Sequence, residues 1–589
     1  MGSFDLDLIR RGGRRVRKTT KVARLAAALI TVSLIGAACG GSDDEATQEV
    51  AAEPASYPTS LDDCANVTYD YVKPATVGGM TITYDINPAA VWDDGSPITV
   101  ADFAATWEAS LNTPGSISTS GYDQVTAVEA GASDKQVVVT LKAVYAPWRG
   151  LFSGLIKAAS VENTKDVSAD YADNIPFSGR PYKIKSWSPD QIVFEPNDKY
   201  WGTDKAVTKK FVMVPKADSD TEIAAIKAGE VDFIYPQFFA GIEEAVKQDN
   251  IQSQIDYGGD YEGFYFQQKC GPFADPNFRA AFSMSIDRDA LFEQIYIPLG
   301  GKELLQCGPM VPGPYCVGDE FANSYDPAAA ETLLTENGWT KVDGFWADPT
   351  GKVPDVRWII NTGNTRREST QAYLIPLLTA AGFKVRADNC DAECYFQKRL
   401  PGMDYDMAMY ISTAPPDPAY VTASFACDLI PTEANGNIGQ NSQGWCNSEA
   451  SDLLYAADVD ADAVTRADKV KQVLALMAKD HVMLPLMQFP KSGFARTDKV
   501  SGPWNGELNN YAAFNNIHLW QDADGDGQIV MAAEQWPGCL NPITECANSS
   551  WMVWTTAFQV LPGAYATTND GKYVVTNLLA GEAKVEIKS

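Results

Sequence analysis

The sequence predicts one long α/β body with mixed sheets, and three observations carry that expectation. Segments with apolar residues at three- and four-residue spacing alternate along the chain with short β-branched runs, and no short-period repeat interrupts them. The composition is that of a soluble globular protein, 45% hydrophobic and 21% charged. The 589 residues suffice for roughly two to four domains' worth of core.

The first residues are a separate object. Arg10, Arg11, Arg14, Arg15, Arg17, Lys18, Lys21 and Arg24 precede an apolar run, 25–38, that is too short to span a bilayer as a standard helix. That pattern is a secretory signal peptide. Small residues stand directly before Cys39, as in a bacterial lipobox, although Gly36 occupies the place where such boxes usually carry Leu. Residues 1–38 are therefore expected to be removed, with Cys39 lipidated and holding the protein to the outer face of the cell membrane. Residues 40–60, polar, acidic and Pro-containing, read as a flexible tether. Loss of the leader takes the formal charge from −29 to about −35. Nucleic acid and anionic membrane faces are poor partners for such a surface.

Along the body, Thr99 with Asp102 makes a capping-box pattern, and Phe103, Trp107 and Leu111 follow at helical spacing. A helix is expected from there. "QVVVTLK" (136–142), the pair "YKIKSW" and "QIVFEPN" (182–197) and "VRWIINTG" (356–363) read as strands. "YDPAAAETLLTENGW" has Asp326 at an N-cap, Pro327 at the first helical position and Gly338 just past the end. In 463–480, Val470, Val473, Leu474 and Met477 share one helical face. Near the end, "DADGDGQIVMAAEQW" places an Asp-Gly turn before a strand-like run, 528–533.

Of 11 cysteines, ten remain besides Cys39, an even number that favours disulfides outside the cytosol. Close spacing suggests Cys307 with Cys316, Cys390 with Cys394, Cys427 with Cys446 and Cys539 with Cys546, while Cys64 and Cys270 are left over; spacing alone does not fix connectivity. Zinc has no support, because no CxxC pair or nearby His is present.

The parts of common catalytic sites are missing. The two histidines, His481 and His518, sit near no GxSxG elbow and in no HExxH helix, and there is no P-loop or GxGxxG fingerprint. A binder is expected rather than an enzyme, and no cofactor. Asp522, Asp524 and Asp526 with Gly527 match the opening of a calcium loop, but Ala533 stands where the bidentate Glu belongs, so a solvated turn is the expectation there and no metal.

Six segments, in order, resemble the dipeptide/oligopeptide-binding family of extracytoplasmic solute-binding proteins that serve ABC importers. They are "INPAAVWDDGSPITVADFAATW" (86–107), "FSGRPYKIKSWSPDQIVFEPNDKYWG" (177–202), "IAAIKAGEVDFI" (223–234), "GPFADPNFRAAFSMSIDRDAL" (271–291), "YDMAMYISTAPPDPAYVTASF" (405–425) and "DHVMLPLMQF" (480–489). The resemblance implies a two-lobed periplasmic-binding-protein fold of type II with an extra domain and a hinge between lobes. It implies an extra domain over 61–175 with 561–589, a first-lobe core over 176–270 with 489–560, and a second lobe over 271–488. It also implies a monomer that captures a peptide or peptide-like solute and delivers it to a permease. The alternative is a secreted sensory or interaction protein of the same fold that binds a non-peptide solute such as an oligosaccharide.

In that family the first strand leads to a Glu-x-x-x-Leu-x-Pro type segment. Here the region before "VWDDG" lacks it, and "AEQWPGCLNP" near the C-terminus supplies a looser version. A circular permutation is therefore expected, with the usual termini joined by "WQDADGDGQ", new termini opened before residue 80, and 572–588 resembling the stretch that would normally run into "MTITYDINPAAVW"; a truncated second copy beginning at 528 is the rival. The resemblance places ligand contacts at Glu534, Gln535 and Trp536, at Tyr265 and Gln267, and at Tyr410, Ser412 and Asp417. Peptide-binding relatives hold the α-ammonium with an Asp in the last of these loops, whereas here the matching position is Ala414 or Pro415. Ordinary peptide capture would then need Glu534 or Asp417 as a substitute.

Overall fold

The computed structural model describes residue 67, residues 69–74 and then 78–588, apart from 240, 299, 312, 314, 317–318, 415–416, 503–513 and 569–571. The expected leader, lipid site and tether, together with Cys64 and Pro415, lie outside the described residues.

The locally punctuated elements form where their sequence signals stand. The helix Val100–Asn112 is capped by Thr99, whose backbone N–H donates to Asp102 Oδ2 at 2.8 Å. Pro327–Glu336 is capped by Asp326, which accepts from Ala329 N at 2.9 Å. In Ala463–Lys479 the buried residues include Val470, Val473, Leu474 and Met477, the face that the spacing predicts.

The strands that matter here are β1 (Gly79–Asp85), β2 (Val125–Ala130), β3 (Gln136–Leu141), β4 (Tyr182–Ser188), β5 (Gln191–Pro196), β6 (Phe211–Pro215), β7 (Phe233–Ile234), β8 (Ile251–Phe266), β9 (Val356–Ile359), β10 (Val385–Ala387), β11 (Met407–Thr413), β12 (Met483–Arg496), β13 (Ile529–Ala533) and β14 (Lys584–Lys588). Ten of them build one mixed sheet in the order β10-β9-β11-β8-β12-β7-β13-β6-β5-β4, and four build a smaller sheet, β2-β3-β1-β14.

Two long strands carry the large sheet from one end to the other. Residues 260–266 of β8 pair with β11, and residues 251–257 pair with the far half of β12, whose Phe494 and Ala495 pair in turn with β7. The β8–β12 register shifts twice, between Pro485 and Met487 and between Gln488 and Pro490. Each shift adjoins a proline, which has no N–H to give the ladder, so the ribbon is weakest in its middle.

β13 fills the place between β6 and β7, parallel to both, with Ile529 opposite Phe211 and Met531 opposite Phe233. Asp232 fixes it twice, accepting from Val530 N at 2.7 Å and donating its own N–H to Val530 O at 2.8 Å. Alternation then sends Ile529, Met531 and Ala533 into one hydrophobic core and Ala532 into another. β14 pairs antiparallel with β1, Gly79 facing Lys588, so late residues complete both sheets.

The first core draws on 80–233 and 495–579, the second on 223–409 and 484–532, and a third lies within 261–483. Four disulfides join Cys307 to Cys316, Cys390 to Cys394, Cys427 to Cys446 and Cys539 to Cys546, the pairs that spacing suggests. Cys270 is disulfide-bonded as well.

The inserted strand generates a prediction. Ile529→Ala empties a fully buried site opposite Phe211 and is expected to lower stability by about 2–5 kcal/mol in denaturant unfolding. Val585→Ala, on an exposed strand, is expected to change it by no more than about 0.5 kcal/mol.

Candidate functional site

A cleft of about 940 Å³ opens beside the β8–β12 ribbon, at the upper end of the volumes that small-ligand sites occupy. One wall comes from β8 and β11. Tyr265 and Tyr410 stack there with ring centroids 3.9 Å apart and planes 11° from parallel. Gly263 lies opposite Tyr410 in the pairing, and a Cβ there would stand 3.0 Å from Leu484 O of β12. Tyr265 Oη donates to Ser412 Oγ at 3.0 Å, and Gln443 Nε2 donates to Tyr410 Oη at 2.5 Å.

The opposite wall begins where β13 ends. Glu534 Oε1 accepts from Ser219 Oγ at 2.5 Å and from Gln237 N at 3.0 Å. Burial pushes its carboxyl above the ordinary range in spite of those donors. Behind it Glu222 is fully buried, and burial, then the neighbouring Glu534, raise its carboxyl further. Gln535 turns the chain with a left-handed φ of 58°, and its carbonyl accepts from Ser550 Oγ at 2.5 Å. The helix Trp551–Val560 then presents Trp551, Trp554 and Phe558 to the cleft.

Of the residues that the resemblance places at the ligand, Glu534, Gln535, Tyr265, Tyr410, Ser412 and Asp417 line this cleft. Asp417 is held by Arg466 through both carboxylate oxygens, at 2.6 and 2.9 Å. Gln267 and Trp536 are absent from the lining. Gln267 is fully buried and spends its amide on the turn 442–444 and its own strand end, donating to Ser442 O at 3.1 Å and accepting from Lys269 N at 2.9 Å. Trp536 is half-buried and packs on the first core. Trp551, Trp554 and Phe558 are among the lining aromatic residues that the sequence did not single out; "WMVWTTAF" carries them at i, i+3 and i+7.

The cleft's charges are set by a buried triad. Glu262 on β8 is fully buried and accepts from Arg366 Nε at 2.5 Å and from Arg367 Nε at 2.7 Å. Burial alone would raise its carboxyl, but the two guanidinium groups overrule it and hold Glu262 below the usual carboxylate range. Arg367 also donates to Asn361 Oδ1 and reaches the cleft wall. Lys491 lies 3.1 Å from Asp260, which also accepts from Thr413 Oγ1 at 2.5 Å.

Neither histidine lines the cleft, and burial lowers both to about 4, which leaves neutral rings at physiological pH. The carboxylates of Asp522, Asp524 and Asp526 lie within 4.8 Å of one another. Their oxygens serve the turn itself: Asp522 accepts from Gly525 N and Gly527 N, Asp526 from Gln528 N, and Asp524 pairs with Lys499.

A mixed sheet shared by two main cores, with a cleft along its connecting ribbon, defines a two-lobed binding protein of the type II periplasmic class. Residues 75–428, more than half of the chain, match the bacterial extracellular solute-binding proteins, family 5, and the chain belongs to that family. Among curated relatives, the oligopeptide-binding protein OppA of Bacillus subtilis is 23% identical over 458 residues, 73% of this chain and 81% of that one. A probable monoacyl phosphatidylinositol tetramannoside-binding protein, LpqW, of Mycobacterium tuberculosis is 30% identical over 168 residues, and that match spans only 26% of either chain. The solved structure of the oligopeptide-binding protein AppA from Bacillus subtilis superposes with a TM-score of 0.66 at 20% identity, over 82% of this chain and 95% of that one. A periplasmic EDTA-binding protein, EppA, gives 0.65 at 21% identity, over 75% and 85%. Among the described residues no helix is long and apolar enough to cross a membrane.

Removing the acid of the triad leaves two buried guanidinium groups facing each other. Glu262→Gln is expected to cost about 3–5 kcal/mol of stability, measured by thermal or denaturant unfolding, because an unanswered buried charge remains.

Proposed function

We propose that the protein is the solute-binding component of an ABC importer, capturing a peptide or peptide-like solute between its lobes and handing it to a membrane permease. The observation that carries this reading is the cleft itself, with aromatic rings from both sides of the connecting ribbon and a volume that admits a short peptide, in a chain of this family. Closure about the ribbon would desolvate the solute and bring the two aromatic walls together, so the ligand favours the closed form through contacts that the open form lacks. The relatives named for oligopeptides support the choice of ligand. In this reading Glu534, Gln535, Tyr265, Tyr410 and Ser412 contact the solute, and Trp551, Trp554 and Phe558 join them.

Several finer points belong to the same proposal. Cys39 carries a lipid that anchors a monomer outside the cell, after removal of 1–38. The lobes divide at 61–175 with 561–589, 176–270 with 489–560, and 271–488; the first core, which draws on both of the first two parts, and the third, within 261–483, support the boundary between the lobes. The element order arose by circular permutation, a reading supported by β13 standing between β6 and β7 and by β14 lying against β1.

One observation favours a second reading. The segment similar to a mannoside-binding protein supports a glycan-binding role for the same cleft.

Incubated with a mixture of random short peptides, dialysed and sprayed under native conditions, the protein is expected to retain one peptide per chain. Trp554→Ala removes a half-exposed ring from the cleft wall and is expected to lower occupancy about tenfold with little change in Tm. Retention of an oligomannoside with no retained peptide would favour the second reading.

A further inference from the structure

The charged side chains of the cleft wall are paired with an opposite charge of the protein or acted on by one, with one exception among the described residues. Lys491 meets Asp260, and Arg466 meets Asp417. Arg366 and Arg367 share Glu262, and the positive charge left over acts on Glu534, where Arg366 works against the rise caused by burial. Glu545 lines the same cleft and has no lysine or arginine partner among the described residues. Its contact is a long, neutral one, Asn548 Nδ2 donating to Oε2 at 3.3 Å. Burial pushes its carboxyl up to about 7, the behaviour of an acid held in a wall without a counter-ion.

The segment that carries Glu545 is pinned at several points. Cys539 and Cys546 bracket it with a disulfide. Asn541 Nδ2 donates to Val167 O at 2.7 Å, and Ile117 N donates to Ile543 O at 2.9 Å. The next helix supplies Trp551 and Trp554 to the same wall. A carboxyl fixed on a stapled loop of a cleft that aromatic residues also line suits an ammonium group, which gains a charge-assisted bond from the acid and attraction to the rings.

We propose that Glu545 is the counter-ion for a cationic amine on the bound solute; resting on the peptide reading above, that amine is the peptide's α-ammonium. The loop after β11 offers no acid for the purpose. Ala414 is buried and apolar, and Asp417 is committed to Arg466. The charge that this loop lacks stands instead across the cleft, on the segment after β13.

The test compares the full chain's binding, by titration calorimetry, of a random short-peptide mixture with free amino termini and of the same mixture after N-acetylation. The wild type is expected to prefer the free amines by about tenfold or more. Glu545→Gln is expected to abolish that preference, and Glu545→Asp to restore part of it, with Tm unchanged in both. Equal binding of the acetylated mixture, or a preference that survives in E545Q, overturns the assignment of Glu545 while leaving peptide capture intact. The wild-type comparison needs no variant, so a poorly folding mutant does not remove the test. Binding of neither mixture overturns the peptide reading, and this inference with it.

Discussion

The carboxylate of Glu262 is the point on which the rest of the molecule turns. It sits in the second half of β8 where that strand is paired on both sides, opposite Ile411 of β11 and Met487 of β12, and next to the first register shift of the ribbon. A charge there is tolerable only because two guanidinium groups from the start of the helix Thr365–Ala380 enclose it. Arg366 in addition lies over the Phe489 ring at 4.4 Å, so the same contact ties helix, β8 and β12 together. One ionic cluster thereby fixes the geometry at the place where the sheet passes from one core to the other.

That constraint gives the ribbon a rigid anchor and a soft middle. The prolines at 485 and 490 and the two register shifts remove ladder hydrogen bonds just beyond Glu262, so bending concentrates there rather than in the flanking strands. The cleft lies alongside, and the triad also sets its electrostatics. With two arginines against one glutamate, a positive charge is left to act on Glu534, which leaves Glu545 as the cleft acid without a cationic partner among the described residues.

Much of this was legible in the sequence, for identifiable reasons. Helices announced by Thr99, Asp326 and the 470–477 face form as expected because caps and apolar stripes act over a few residues. The run before Glu534 reads as a strand from its own β-branched character, and its neighbours β6 and β7 leave a gap of one strand. The site was half legible. Tyr265 and Gln267 share a face by strand alternation, but β8 ends at Phe266, and the turn after it folds Gln267 inward. Trp536 comes after a left-handed residue, so the period that carries Glu534 to the cleft does not carry the indole there. The helix Trp551–Val560 is apolar on nearly every face and reads as core, although one edge of it faces the cleft. Glu545 has no sequence signal at all, because its distinction is the lack of a cation beside it among the described residues, and such neighbours are a property of the folded chain.

Hydrogen–deuterium exchange across the ribbon, with and without the short-peptide mixture, tests the joint most directly. The amides of Glu262 to Phe266 and of Ile529 to Ala533 should be slow in both states, while Leu486 to Phe489 exchange faster without peptide and slow markedly when it is added. Protection that is uniform along β12 and indifferent to peptide, or rapid exchange at 529–533, would contradict a solute-driven closure hinged on this strand pair.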